Sequence, residues 1–366
     1  MKLETQRISK LQTLMAKNNL SNLLISDPKS IRYFTQYETD PGERLLLLHI
    51  SQNEPARLYL NQLFPPAQFA KEDANNIHIN TYRDGEPIIK QVATSLEDGV
   101  TGIDKFWPSH FLLQLLEEQP HLHVVNGSIF VDDLRGIKDK DEIERMKQAS
   151  HLNDQIMQET IDFLQQGPTE VEARNFILQR YQETGHQGPS FEPIVAYGAN
   201  GADPHHTVSQ QTPQAGDSIV VDIGGLYNGY ASDMTRTFFY QEASQESLQI
   251  YHLVQKANEA AIQSIRPGVT FAEIDRIARD IISEAGYGEF FTHRLGHFIG
   301  QEAHEAGDVS EHNHRTVQAG QIFSIEPGIY LLGKLGVRIE DLVLVTEDGV
   351  EVLNHVSKEP IIIDPA

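Results

Sequence analysis

The chain has 366 residues, no cysteine and a formal net charge of −23. Without cysteine it can hold no disulfide, thiolate metal site or cysteine nucleophile, and this composition fits a cytoplasmic protein. The negative charge argues against nucleic acid or an anionic membrane as a partner. No apolar run reaches the ~18 residues of a membrane span, so the sequence predicts no membrane-spanning helix.

The first 130 residues have the pattern of an α/β domain. Residues 1–130 alternate short apolar runs, such as NLLIS and ARLYLN, with helical patterns such as 108–118. The charged N-terminus predicts an amphipathic surface helix rather than a signal peptide. A strongly charged segment, 134–150, carries apolar residues at helical spacing. We interpret it as the boundary region and the first helix of a second domain, residues 131–366.

The second domain contains an internal repeat. Each copy has a Thr-x-x-Glu capping box and a glycine 16 residues after the threonine: Thr169, Glu172 and Gly185 in the first copy, and Thr270, Glu273 and Gly286 in the second. Downstream, QAGDSIVVDIGG (214–225) aligns with QAGQIFSIEPGI (318–329) at an offset of 104, which pairs Asp222 with Glu326. These matches favour two pseudo-symmetric αβ halves over two unrelated helix–strand units.

Each half offers two acidic residues beside apolar strands, Asp222 and Asp233 in the first and Glu326 and Glu340 in the second. Acids flanked by Val, Ile and Phe should be buried, and a buried unpaired carboxylate is costly. Four such acids would repel one another unless cations lay between them, and two divalent ions would balance their charge. His297, in HRLGHFIGQEAHE, adds a neutral nitrogen ligand. This donor set suits Mn²⁺, Co²⁺ or Zn²⁺.

Each of these residues also has a simpler interpretation. A single Asp at a strand end is usually a turn or cap residue, and a lone His is usually structural or solvated. Glu302 and Glu305 are interpreted as surface acids. Asp341 follows Glu340 along a strand, so it should point to the opposite face and not bind metal. The ordered set Asp, Asp, His, Glu, Glu, each in a matching context, favours the metal site.

Four segments together resemble the pita-bread metallopeptidases, which include prolidase, aminopeptidase P and methionine aminopeptidase: DIGGLYNGYASDMTRTF, HRLGHFIGQEAHE, SIEPGIY and GVRIED. The likeness is greatest to bacterial Xaa-Pro dipeptidases and covers nearly the whole chain. It implies an α/β N-terminal domain of the creatinase/prolidase type over 1–130. It also implies an α+β pita-bread catalytic domain over 131–366, with the internal pseudo-two-fold repeat.

The resemblance also implies a role for each matching residue. Asp222 would bind one metal ion, Asp233 and Glu340 would bridge two, and His297 and Glu326 would complete the second. Glu326 would also handle the proton of the bridging water. The expected catalytic and substrate-binding residues outside the ligand set are His205, His304, His293, Phe298 and Arg338. His206 is a rival to His205, but the spacing to Asp222 favours His205.

The implied activity is hydrolysis of the Xaa-Pro bond, preferentially of dipeptides, by a homodimer with two divalent ions per chain and a metal-bridging hydroxide. Two other classes stay open: a related hydrolase (aminopeptidase P on longer peptides, or a creatinase-like amidinohydrolase) and a non-catalytic binding module. The complete ligand set argues against the amidinohydrolase and the binding module. Phe298 is expected to narrow the pocket. The group that anchors the substrate carboxylate is unassigned, with Arg315 and His293 as candidates.

Overall fold

A computed structural model describes residues 1–365, apart from the side chain of Glu72. The chain divides into two compact units, Met1–Arg135 and Gly136–Ala366. Among the described residues, no helix is both long and apolar enough to cross a membrane.

The first unit is built on a six-stranded mixed sheet with the strand order β4-β3-β2-β1-β5-β6. Its strands are β1 Leu20–Ile25, β2 Leu47–Ser51, β3 Ala56–Asn61, β4 Ile77–Tyr82, β5 Val100–Ile103 and β6 His123–Asn126. Its helices are α1 Thr5–Lys17, α2 Pro28–Thr35, α3 Ile88–Thr94, α4 Ser109–Glu118 and α5 Ser128–Gly136. Along β1, Leu23 and Ile25 enter one apolar cluster and Leu24 enters another, because successive strand residues face opposite sides. The sheet is thus covered on both faces, which confirms the α/β prediction.

The second unit combines helices with several small sheets. Its helices are α6 Lys140–Leu164, α7 Glu170–Glu183, α8 Gln245–Ser264 and α9 Phe271–Glu284. Its first strands are β7 Gly188–Pro189, β8 Ile194–Tyr197, β9 Ser218–Ile223, β10 Gly225–Tyr227, β11 Tyr230–Ala231 and β12 Met234–Tyr240. The later strands are β13 Gly296–Phe298, β14 Glu305–Val309, β15 Ile322–Ile325, β16 Gly328–Leu331, β17 Leu335–Arg338, β18 Asp341–Val345, β19 Val350–Val352 and β20 Ile362–Ile363.

The predicted internal repeat is present in the element order. The series α6-α7-β8-β9-β12 is followed by α8-α9-β13-β15-β18, and in each half the three strands are neighbours in that order. Helices α7 and α9 both have 14 residues and both begin at a complete capping box, on Thr169 and Thr270 respectively. The pita-bread architecture with its pseudo-two-fold repeat is therefore confirmed.

Equivalent glycines make the equivalent turn before the central strand of each half. Gly216 and Gly320 have φ angles of +89° and +87°, which favour glycine because it lacks a Cβ. The Gly216 N–H donates to Tyr240 at the end of β12, and the Gly320 N–H donates to Val345 at the end of β18. The same turn therefore sets how β9 and β15 enter their sheets.

Two acids near the predicted ligands have structural roles. Asp341 is fully buried and accepts from Arg236 at 2.7 Å and from Lys358 at 2.9 Å, as expected for a residue facing away from Glu340. The expectation that Glu305 is a surface acid is wrong. Its side chain is 6% exposed and lies 3.2 Å from the Lys138 ammonium, which compensates the cost of burying a charge.

Candidate metal centre

The five predicted ligands come from the central strands of both halves. Asp222 lies within β9 and Asp233 directly precedes β12, its antiparallel partner. His297 lies within β13, Glu326 directly follows β15, and Glu340 directly precedes β18. Because β15 pairs with β18 as β9 pairs with β12, the repeat carries two acids from each half to one point.

The His297 imidazole lies at the centre of this cluster. Its Nε2 atom is 3.4 Å from a Glu326 oxygen, 3.6 Å from an Asp233 oxygen and 3.9 Å from a Glu340 oxygen. One ligand atom each from Asp233, His297 and Glu340 falls within 4.8 Å of the others. All three residues are buried.

The carboxylates are buried without enough partners. Asp222 Oδ1, Asp233 Oδ1 and Glu340 Oε1 are inaccessible and make no hydrogen bond with the described residues. Burial, followed by repulsion from neighbouring carboxylates, raises the pKa of Asp233 and of Glu340 well above the ordinary range. Orphaned oxygens of this kind are costly unless a cation satisfies them. The donor set therefore fits divalent ions.

The orientation of His297 supports the same interpretation. Its Nδ1 atom lies 3.2 Å from the Phe298 carbonyl oxygen, which can only accept a hydrogen bond. Burial, together with the charge of His304, lowers the pKa of His297 to about 3, so the ring is neutral. Its proton therefore belongs on Nδ1, which leaves the Nε2 lone pair facing the carboxylates. Such a carbonyl partner commonly orients a metal-binding histidine.

Two hydroxyl residues position the ligands. Thr235 donates to Glu340 Oε2 at 2.7 Å and accepts from Arg338 Nε at 3.0 Å. Ser324 accepts from the His297 N–H at 3.0 Å and donates to Glu326 at 3.1 Å. We missed both roles in the sequence. The period-two series Asp233, Thr235, Thr237 is the signal that identifies Thr235, because alternate strand residues share a face.

Arg338 begins a buried chain of polar contacts that leads away from the ligands. Its guanidinium donates to Asp222 at 2.7 Å and to the Tyr330 hydroxyl at 3.0 Å, and that hydroxyl lies 2.8 Å from His293 Nε2. The structure thus places Arg338 beside a ligand carboxylate. It also brings in Tyr330, the last residue of the segment SIEPGIY, to which the sequence analysis assigned no role.

The cluster opens into a cavity of about 710 Å³, within the usual range for small-molecule sites. His205, His293 and His304 line it together with all five predicted ligands. The His304 ring packs edge-on against the His297 ring at 4.1 Å between centroids. His206 also reaches the cavity, but its Nε2 lies 2.8 Å from Glu170. The structure therefore supports His205 over its rival as the histidine available to a substrate.

The expectation that Phe298 narrows the pocket is corrected by the structure. Phe298 is 5% exposed and packs its ring against Phe271 and Phe323 in the apolar core. It follows His297 within β13, so the two side chains point to opposite faces of the strand. Proximity in sequence to a ligand does not place Phe298 in the site.

Arg294 is a cavity residue that the sequence analysis missed. The cavity lining contains three arginines, and two of them have carboxylate partners: Arg174 pairs with Glu192, and Arg338 with Asp222. The Arg294 side chain is exposed and makes no hydrogen bond or ion pair with the described residues. Arg315, the candidate from sequence, is not among the described residues that line the cavity. The signal for Arg294 was its place beside His293 in the quoted histidine motif.

The architecture and the acid-lined cavity define a metal-dependent hydrolase. Residues 144–347 match the model of metallopeptidase family M24, and residues 7–137 match that of the creatinase/prolidase N-terminal domain. The chain therefore belongs to metallopeptidase family M24, and membership of this family implies divalent metal ions. An uncharacterized peptidase of Staphylococcus aureus is 35% identical over 367 aligned residues, covering 96% of this chain and 99% of the relative.

Solved structures share the whole architecture. The prolidase of Thermococcus sibiricus has a TM-score of 0.89 and 33% identity, with 98% of this chain and 99% of that one covered. The dipeptidase PepE of Mycobacterium ulcerans has a TM-score of 0.91 and 32% identity, with 99% and 98% covered. An X-Pro aminopeptidase of Thermotoga maritima has a TM-score of 0.80 and 28% identity, with 94% and 98% covered.

The first prediction tests the metal ligands. Asp233→Asn should lower the metal content and abolish activity, because it removes a charged oxygen ligand from the centre of the cluster. Asp280→Asn, the same change on an exposed face of α9, is the matched control and should retain the metal content of the wild type. Metal analysis after reconstitution, with an activity assay, measures both. Full activity in Asp233→Asn would show that Asp233 is not a ligand.

The second prediction separates the two packed histidines. His297→Ala should lose metal, since its Nε2 faces three of the carboxylates. His304→Ala should keep the metal ions but lose much of the rate, because it lines the cavity beside the cluster. Metal content and kcat are measured for both variants. Equal metal loss in the two would overturn this division of roles.

Proposed function

We propose that this protein is a dinuclear-metal peptidase that hydrolyses the Xaa-Pro bond, preferentially of dipeptides. The observation that carries the proposal is the set of three orphaned carboxylate oxygens, on Asp222, Asp233 and Glu340, in the buried cluster that contains His297. It occurs in a chain of a metallopeptidase family, and solved neighbours of the same length are named prolidase and dipeptidase. Cleavage of Ala-Pro and Leu-Pro by the metal-loaded protein tests it directly.

Charge and donor chemistry support two ions per chain. Four carboxylates carry a charge of −4 when ionised, which two divalent cations balance. Asp222, Asp233, His297, Glu326 and Glu340 would hold them. Oxygen donors with one imidazole suit Mn²⁺, and they also accept Co²⁺ or Zn²⁺. When bound, a pair of such ions supplies a nucleophilic water at neutral pH and polarises the scissile carbonyl.

Side chains of the protein would then transfer protons and stabilise the negative charge that develops on the substrate. Glu326, held by Ser324 at 3.1 Å, is placed at the cavity to take a proton from the attacking water and deliver it to the leaving nitrogen. His205 and His304 line the same cavity. Their N–H groups would donate to the oxyanion that develops on the substrate carbonyl.

We infer that an apolar part of the cavity and one positively charged side chain recognise the substrate. Phe191, Ile194 and Val208 line the cavity and suit a proline ring, whose tertiary amide offers no N–H to a binding strand. Arg294 has no carboxylate partner among the described residues, so it is available to bind the carboxylate of a dipeptide by a charge-assisted hydrogen bond. The sequence left this anchor unassigned, with Arg315 and His293 as candidates, and we propose Arg294 in their place.

For the whole protein we propose a homodimer in the cytoplasm. The family resemblance supports the dimer, and the cysteine-free composition fits the reducing compartment. Sedimentation or size-exclusion analysis tests the assembly.

The third prediction concerns substrate length. Ala-Pro should be cleaved with a kcat/KM at least ~100-fold above that of Ala-Pro-Ala, a difference of about 2.7 kcal/mol in transition-state binding. The reason is that the dipeptide carries its carboxylate directly after the proline, where the proposed cationic anchor binds it. Equal values for the two peptides would move the protein to aminopeptidase P and leave the metal site unaffected.

The fourth prediction tests the anchor itself. Arg294→Gln should raise KM for Ala-Pro by roughly tenfold or more, as expected when a hydrogen bond to a charged group is lost. It should change KM for the amidated dipeptide far less, because that substrate has no carboxylate. Arg315→Gln is the matched control and should leave both values near wild type. An equal loss on both substrates in Arg294→Gln would rule out carboxylate binding.

A further inference from the structure

The segment that carries His205 has no regular secondary structure. After the short 3-10 helix Gly198–Ala202, residues 203–211 form a loop that ends before β9. The His205 imidazole lines the cavity and makes no hydrogen bond with the described residues. Some other group must therefore hold this loop so that His205 faces the metal centre.

Glu170, the first residue of α7, is bonded to this segment at many points. Its side chain is fully buried. Oε1 accepts from the Tyr197 N–H at 2.9 Å and the Asn200 amide at 2.8 Å, and Oε2 accepts from His206 Nε2 at 2.8 Å and from the Ser209 N–H and hydroxyl at 2.8 and 2.7 Å. Burial opposes ionisation, but the hydrogen bonds from Asn200, His206 and Ser209 outweigh it and lower the pKa of Glu170. One ionised carboxylate thus organises the loop.

The bond to His206 has a direct effect on its neighbour. A carboxylate can only accept, so His206 Nε2 carries the proton in this pair. Tying the His206 side chain to Glu170 removes most of its freedom and that of the backbone on either side. The His205 imidazole makes no hydrogen bond with the described residues. Its direction therefore follows from the His206–Glu170 bond and from the His205 backbone N–H, which donates to Asp203.

The second half of the repeat provides an internal comparison. The N–H groups of Glu170 and Val171 donate to the carbonyls of Gln211 and Ser209. In the second half, the N–H groups of Phe271 and Ala272 donate to Arg315 and Asn313 in the same way. The residue equivalent to Glu170 is Phe271.

Phe271 packs its ring against Phe298 and Phe323 in the core. The fold therefore docks a loop on this helix terminus without a carboxylate. In the first half the docked loop, 203–211, itself carries a site histidine, whereas in the second half His304 lies before β14 and outside the docked residues 313–315. The carboxylate is present where the docked loop carries the histidine, so its presence is not explained by helix capping or by loop docking alone.

We propose that Glu170 is a positioning residue for catalysis, which acts by holding His206 and the 203–211 loop so that His205 points into the metal centre. This inference rests on the proposed function, in which His205 donates to the developing oxyanion. Glu170 itself touches no substrate. Its loss should affect the transition state more than substrate binding.

Glu170→Gln keeps the volume of the side chain but replaces one carboxylate oxygen by an NH2 group. This hydrogen-bond donor would face the N–H and O–H groups that donate to Glu170. It should lower kcat for Ala-Pro by about tenfold, as for other residues that orient a functional side chain, with little change in KM or metal content. Glu172→Gln is the matched control, because glutamine also closes a capping box; it should keep the wild-type kcat.

A double-mutant cycle separates positioning from general loss of structure. In a His205→Ala background, Glu170→Gln should change kcat by less than about twofold, since its target is already absent. If Glu170→Gln costs the same factor in both backgrounds, or lowers metal content, the proposal is overturned. Should Glu170→Gln fail to fold, His206→Asn replaces it in the same cycle and is judged by the same criteria.

An activity-independent measurement keeps this test distinct from that of the proposed function. Hydrogen exchange of the backbone amides of residues 203–211 should be faster in Glu170→Gln than in Glu172→Gln. Equal exchange in the two variants would show that Glu170 does not hold the loop. If the metal-loaded wild type cleaves no Xaa-Pro peptide, the proposed function fails, and the exchange result alone then decides whether Glu170 holds the loop.

Discussion

The physical constraint behind this structure is the collection of four carboxylates at one buried point. Two unit charges ~4 Å apart repel by about 4 kcal/mol even at an effective dielectric of ~20. Three of the acids also leave an oxygen with no partner in the part of the chain that the structure describes. Such a cluster opposes folding unless cations occupy it, so the surrounding structure must hold the acids in place against their own repulsion.

The supports for the cluster come from rigid strands rather than loops. Thr235 and Arg338 brace the acids from β12 and β17, and Ser324 does so from β15. A second charged pair, Arg236 of β12 with Asp341 of β18, lies on the side facing away from Thr235 and Glu340. Strand alternation thus separates a face built for cations from a face whose charges are already paired.

Much of the fold was predictable because its signals are local. Capping boxes and a repeated QAG-strand pattern identified the two halves, and helix α6 followed the charged boundary segment as expected. The sites of error were those where a side chain's direction or partner depends on tertiary packing. Phe298 packs in the apolar core, and Glu305 pairs with Lys138, which is 167 positions away in sequence.

The candidate site shows the same division. The acids beside apolar strands predicted the cluster from their spacing and sequence context. The sequence did not indicate that Arg294 is the cavity arginine available to a substrate. Unlike Arg174 and Arg338, Arg294 has no carboxylate partner among the described residues, and such partners depend on the folded structure. The hydrogen bonds between Glu170 and the loop of His205 join residues more than 30 positions apart. No sequence motif indicates them.

The distribution of the acids over two halves has a consequence for synthesis in the cell. Asp233 leaves the ribosome 107 residues ahead of Glu340, an interval of roughly 5–20 s at ~5–20 residues/s. Within that interval His297 follows Asp233 by 64 residues and Glu326 follows it by 93 residues, and Glu340 completes the set last. The nascent chain therefore lacks the complete set of five donors until Glu340 has emerged, so a complete cation site forms only late in synthesis.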